Sequence, residues 1–341
     1  MSAPALTPAP LRLAPPPARI AGLDGIRGLA ALYVVAHHCW LLCFPGYPAN
    51  TGPAWTGWLL HGRLAVVVFI TLSGFSLAAA PARNGWRLGG VVSYLRRRAR
   101  RILPPYWAAL ALSLLVVAFS HRIAERSVAV YGLLLQDFVA APAPNRAFWS
   151  IAVEAALYLA FPLLLLLRRR AGAVVTLAAV GVPVIAARLI WPTGGGYTWE
   201  LAPLFTIGII AAGLRTRPWL AGAAAAPVLA VIIAAGSVWT VRHYFWVDLA
   251  AGPAIAFFLA AIAGGRPAAL VRFLATRPLR RLGDCSYSLY LIHMPVVALV
   301  SRHLVPSRAF LPTVLVAVPA SVLAAAAFAA IFERGRQSGA S

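Results

Sequence analysis

Four places in this sequence set ionisable or hydrogen-bonding side chains into apolar surroundings. Arg27 and His38 stand 11 residues apart in LDGIRGLAALYVVAHHCWLLCF, residues 23–44. On a helix that is about three turns, so both fall on one face, roughly 16 Å apart along the axis. The adjacent His37 points about 100° away. Glu154 is the single acidic residue of FWSIAVEAALYLAFP, residues 148–162, which begins with Trp149 and Ser150. An ionisable group at membrane depth is costly and turns to a bundle interior, a cavity or a partner. A histidine and an acid on different helices are therefore candidates for a pair. Arg98 and Arg101, within RRRARR at 96–101, are one helical turn apart and suit a phosphate clamp, because guanidinium binds phosphate through a planar fork. In LGDCSYSLYLIHMP, residues 282–295, Tyr287, Tyr290 and His293 lie within two turns of one another.

Each of these has a plainer explanation. An arginine near a helix end snorkels to headgroups. An arginine run sets topology and contacts anionic lipid. Trp149 suits an interfacial aromatic and Ser150 a helix cap. Tyr287 and Tyr290 suit interfacial anchors, and His293 a satisfied polar residue in a core. Glu154 and His38 are the hardest to explain this way, since both lie well inside their apolar segments.

The elements that must hold these groups are membrane helices. The chain has 341 residues, is 61% hydrophobic, and has a mean hydropathy of +0.81, which excludes an ordinary soluble domain. Of its charged residues, 30 are basic and 8 acidic; every basic one is arginine. The arginines sit between apolar spans rather than on a soluble module, which argues against nucleic acid as a partner. Cys39, Cys43 and Cys285 lie in or beside apolar segments without metal-ligand spacing, so no metal is expected. The first 20 residues hold six prolines and read as a disordered tail; residues 21–334 form one membrane domain and 335–341 a short cytoplasmic tail.

Apolar spans fall near 26–44, 59–80, 104–120, 147–167, 173–191, 201–214, 219–239, 245–263, 286–303 and 311–332. The expected fold is all-α and polytopic, with about ten transmembrane helices in contact with membrane lipid. Segment 128–141 is short and contains Asp137, so it reads as an interfacial or re-entrant piece. With ten spans the arginine-rich stretches 81–103, 168–170, 215–217, 264–285 and 334–336 share one side. That side is cytoplasmic, as are both termini. Isolated arginines such as Arg122 and Arg242 fall opposite. His38 and Glu154 then reach similar depth near the outer face, with Ser73, Tyr287 and His293 in the inner half.

Taken together, these segments resemble the type-3 membrane acyltransferase family, whose members move acyl groups onto sugars and other hydroxyl-bearing acceptors. The resemblance rests on LDGIRGLAALYVVAHH at 23–38, VFITLSGF at 68–75, RRARRILPPYW at 97–107, FWSIAVEAALYLAFP at 148–162 and LGDCSYSLYLIHMP at 282–295, in the family's order. It implies an O-acyltransferase of the inner or plasma membrane with His38, Glu154 and Arg27 as catalytic residues. His38 would act as base and Glu154 would orient it. Arg98, Arg101, Ser73 and Tyr287 would hold an acyl-CoA donor, and Trp149, Ser150 and His293 the acceptor. No permanently bound cofactor is implied. The transferred group would be acetyl or another short acyl, and the acceptor a carbohydrate or other hydroxyl-bearing molecule of the cell envelope. The chain departs from the family at Ala155-Ala156-Leu157, where a second glutamate, glutamine and phenylalanine are usual. It departs again at Gly335, and no hydrolase domain is expected beyond the last span. Two alternatives stay open: acylation of a small secondary metabolite on the cytoplasmic side, and a carrier in which Arg27, His38 and Glu154 form a proton or anion pathway.

Overall fold

A chain this apolar must satisfy its backbone hydrogen bonds internally, and helices do so within one segment. The computed structural model describes residues 19–49, 52–118, 124–191, 198–214, 216–305 and 309–333, and these are helical with no strand among them. Most of the expected N-terminal tail, residues 335–341, Arg122, Arg215, Arg334 and Arg336 lie outside the described residues.

Helix α1 spans Leu23–Cys43 and is followed by a 3₁₀ helix, Ala54–His61. Next come α2 (Arg63–Arg83), α3 (Val91–Ala118), the short α4 (Glu125–Gly132) and the long α5 (Trp149–Ile190). Helices α6 (Leu201–Ala211), α7 (Pro218–Arg242) and α8 (Tyr244–Ala263) lead to two short ones, α9 (Ala268–Leu274) and α10 (Arg277–Asp284). The chain ends in α11 (Ser286–Leu299), a π-helical turn (Val300–Leu304) and α12 (Phe310–Phe332).

Seven of these helices are long and apolar enough to cross a membrane, and α10 with α11 and its π-helical turn, bent by 71°, brings the number to eight when taken as one span. The sequence-based count of ten differs for two identifiable reasons. The spans expected at 147–167 and 173–191 are both present, as two helices that meet without a linker at Gly172, whose φ of 85° and ψ of 179° are not helical, and the count of seven takes them as one. The span expected at 201–214 is only the 11-residue α6, about 16 Å long and too short to cross on its own. The 128–141 segment holds the last five residues of α4 and a run of turns, which is also too short. Helix α3 begins 13 residues before the expected span, so Arg98 and Arg101 lie within the helix rather than ahead of it.

Helix α1 packs against α2, α8, α9, α10, α11, α12 and the 3₁₀ helix, which makes it the hub of the bundle. Helices α2 and α6 approach most closely. A Cβ on Gly74 would lie 2.1 Å from the Phe205 carbonyl oxygen, and one on Gly208 would lie 2.1 Å from that of Thr71. Only hydrogen fits at either position, the small-residue contact typical of membrane helices. Phe75, Phe148, Phe161, Phe205 and Tyr106 fill the interior, while Val174, Ile233, Leu311, Leu315, Leu323 and Ile331 face outward. Helix α7 sits at the edge against α8 and the 3₁₀ helix and buries only Thr240.

Candidate active site

Five helices bring seven of the ten sequence-predicted residues to one place. Arg27 of α1, Ser73 of α2, Arg98 and Arg101 of α3, Ser150 and Glu154 of α5, and Tyr287 of α11 line a single central cavity of about 190 Å³. Short motifs hundreds of residues apart meet because α1, α2 and α11 pack together while α3 and α5 close the side.

At one end the central cavity shares Arg27, Ser76 and Arg101 with a wider mouth of about 580 Å³. Arg19, Arg83, Arg97, Arg100, Asp24, Asp284 and Glu333 also line that mouth, so positive charge predominates. Arg27 donates to Asp24 Oδ1 at 3.0 Å, and exposed Arg19 bridges Asp24 and Asp284. Among the described residues neither Arg98 nor Arg101 has a carboxylate within ion-pair distance. Arg98 Nε is buried without a hydrogen-bond partner. A buried donor left open in a basic cleft suits an anionic ligand.

At the other end Val66 and Tyr290 form a common wall with a second chamber of about 200 Å³. His37, His38, Arg63, Trp149, Tyr47 and Tyr244 line it. Tyr290 carries its hydroxyl into a 2.7 Å hydrogen bond with Ser150 Oγ, so the dividing wall presents two hydroxyl groups.

The expected partnership of His38 with Glu154 does not form. Glu154 accepts a hydrogen bond from Ser73 Oγ at 2.7 Å and another from Tyr158, and faces the arginine-bearing cavity. His38 lies in the other chamber, where its Nδ1 is 2.9 Å from the Val34 carbonyl oxygen and 3.1 Å from Nε2 of His293. Matching depth along two helices says nothing about the direction each side chain takes around its axis, and here the directions differ. His293 is fully buried against His38 and does not line either chamber. His37 turns away and donates from Nδ1 to the Leu59 carbonyl at 2.6 Å, tying α1 to the 3₁₀ helix. Tyr287 spends its hydroxyl on the Ile102 carbonyl at 3.2 Å, while its ring lines the central cavity.

One cluster escaped the sequence reading. Arg63 donates from Nε to Asp248 Oδ2 at 2.7 Å and from Nη2 to Glu200, and its guanidinium lies over the rings of Trp149 at 5.0 Å and Tyr244 at 5.5 Å. Asp248 is completely buried. The signal was present, because Asp248 is as solitary an acid in its span as Glu154 is, and Arg63 is the lone arginine of 59–80. Arg63 also borders a fourth cavity of about 580 Å³, with Trp191, Trp199 and Arg188.

Comparison with known proteins gives this site its context. A family model for the acyltransferase domain of type 3 matches residues 20–332. Acyltransferase MdmB of Streptomyces mycarofaciens is 27% identical over 323 residues, covering 82% of this chain and 79% of that protein. Nodulation protein 10 of Rhizobium leguminosarum bv. viciae is 28% identical over 320 residues, covering 80% and 82%. O-acetyltransferase OatA of Staphylococcus aureus is 23% identical over 341 residues, covering 86% of this chain but 53% of its own, so the chain spans about half that relative. No solved structure matches. The matched region takes in every motif around the two chambers, and this multi-pass membrane protein belongs to acyltransferase family 3 and is an acyltransferase.

Proposed function

We propose that this enzyme transfers an acetyl or other short acyl group from acyl-CoA to a hydroxyl of a carbohydrate or other cell-envelope acceptor. It acts from the inner or plasma membrane with both termini in the cytoplasm. The supporting observation is the shared wall: the arginine-lined central cavity and the histidine chamber meet at Val66 and Tyr290. The name of the O-acetyltransferase relative agrees with a hydroxyl as the acylated group.

The donor's phosphates bind Arg98 and Arg101, with the further arginines of the mouth adding attraction at longer range. Its acyl-bearing arm passes Arg27, Ser73 and Tyr287 and brings the thioester to the wall. The acceptor enters the histidine chamber, where the faces of Trp149, Tyr47 and Tyr244 suit the apolar faces of a sugar ring. His38 takes the hydroxyl proton as the oxygen attacks the thioester carbonyl. Of the Ser150 and Tyr290 hydroxyls, the one that accepts in their mutual hydrogen bond keeps its own O–H free to donate to the carbonyl oxygen as it gains negative charge. The carbon–sulfur bond then breaks, and the leaving thiolate takes the proton back from His38. Atoms and charge balance without any other reactant. Glu154 holds Ser73 and Tyr158 in place and offsets part of the arginine charge.

The test is turnover of acetyl-CoA by the purified protein in detergent, with methyl glucoside as model acceptor, read as free CoA and acetylated sugar. His38→Ala is expected to lower kcat by about 10²–10⁴-fold, the usual contribution of a positioned base. His37→Ala is expected to retain most of the activity, since His37 is engaged with Leu59. Loss confined to the His37 variant would overturn the assignment.

A further inference from the structure

The ring hydrogens of the two facing histidines are fixed by their surroundings. His293 Nδ1 lies 2.8 Å from the carbonyl oxygen of Tyr290 and 3.2 Å from that of Leu289. A carbonyl oxygen only accepts, so this nitrogen carries hydrogen. His38 Nδ1 lies 2.9 Å from the Val34 carbonyl oxygen, and the same argument puts a hydrogen there too. The remaining contact, His293 Nε2 to His38 Nδ1 at 3.1 Å, then requires a bare nitrogen on His293, because two N–H groups do not face each other at that distance. His38 Nδ1–H is thus shared between Val34 and His293. A neutral imidazole has one N–H, which leaves His38 Nε2 as its basic nitrogen.

We propose that His293 is a positioning residue for His38, filling the place expected of Glu154; this rests on the acyl-transfer reading above. Before attack, the Val34 carbonyl and His293 Nε2 together hold His38 in the tautomer whose Nε2 is free to take a proton. When the acceptor hydroxyl gives its proton to His38 Nε2, the ring becomes an imidazolium, and its Nδ1–H still points at the lone pair of neutral His293. That lone pair stabilises the transient cation without itself taking the proton. Transfer to the departing thiolate from Nε2 then restores both rings to their starting states. The histidine pair does for this site what an acid does in a serine-hydrolase triad, with a neutral acceptor in place of a carboxylate. Burial suits the arrangement, since His293 is fully enclosed and the ring planes are tilted by 49° with centroids 4.8 Å apart, leaving water no access between them.

Glutamine supplies the comparison. Its side-chain carbonyl reaches about as far as histidine Nε2 and also accepts from an N–H, whereas leucine fills similar space and accepts nothing. Full-length protein in detergent is assayed with acetyl-CoA and methyl glucoside, alongside thermal unfolding to confirm that each variant is folded. His293→Leu is expected to lower kcat by about 10²-fold with an unchanged KM for acetyl-CoA, and His293→Gln to recover to within about tenfold of wild type. In the His38→Ala background, His293→Leu is expected to cause no further loss, because it acts only through His38. Equal losses in the Leu and Gln variants, a wild-type kcat in His293→Leu, or multiplied losses in the double variant would overturn the proposal. Absence of acetyl-CoA turnover by wild type would instead overturn the acyl-transfer reading, and this assignment with it.

Discussion

Arg63 joins two carboxylates that lie 137 and 185 residues further along the chain, Glu200 and Asp248. Replacing it with Met leaves Asp248, which is completely buried and has one carboxylate oxygen without a partner, beside a second uncompensated acid. Breaking a buried ion pair from one side costs about 3–5 kcal/mol. Arg63→Met is therefore expected to lower the thermal midpoint in detergent sharply, and adding Asp248→Asn with Glu200→Gln to recover most of the loss. A wild-type midpoint in Arg63→Met would show the cluster to be dispensable. The residues of the site were legible unevenly. Arg27, Ser73, Arg98, Arg101, Ser150, Glu154 and Tyr287 line one cavity, though Glu154 was expected beside His38 and Ser150 beside Trp149 and His293. Their pairwise partners were not legible: His38 and His293 are 255 residues apart, and only the rotation of α1 against α11 decides that they touch.

At the scale of elements, the bilayer made most helices readable, since hydropathy over a spanning length is a strong signal. What escaped it was how helices end and lean on one another. Gly172 divides α5 into two helices without a linker, and α6 is too short to span. The position of α6 depends on its contact with α2, where Gly74 and Gly208 allow carbonyl groups to sit where a Cβ would go. Gly208→Ala is expected to push α6 away from α2 at a cost of about 1–3 kcal/mol, typical of overpacking, and to lower the thermal midpoint. Gly222→Ala, in α7 with open space at its Cβ, is the matched control and is expected to leave the midpoint unchanged. Equal midpoints for both variants would mean that the α2–α6 seam yields without cost. The same seam carries Ser73 and the Phe205 ring that packs against Tyr158, so its widening also disturbs the setting of Glu154.

On the scale of the whole molecule, the arginine distribution carries an expectation about sidedness. A cytoplasmic arginine-rich mouth requires Gly85 and Gly264 inside and Pro144 outside. Single cysteines at these positions, introduced after replacing Cys39, Cys43 and Cys285, are expected to react with an impermeant reagent accordingly. Pro144 should label on intact cells, and the other two only after permeabilisation. Protection at Pro144 with outside labelling at Gly264 would reverse the orientation. The cavities described above add a further consequence. Mouth, central cavity and histidine chamber follow one another with shared walls, so the low-dielectric barrier is thinned to the layer around Val66 and Tyr290. A membrane potential falls most steeply where insulation is thinnest, and each elementary charge crossing its full drop exchanges about 2.3 kcal/mol per 100 mV. With acyl-CoA as the proposed donor, the acyl group that passes this layer is uncharged, whereas the phosphates stop at the arginines before it. Parting the charge of the proposed donor from its cargo at that layer would leave the transfer step nearly indifferent to the voltage of the membrane.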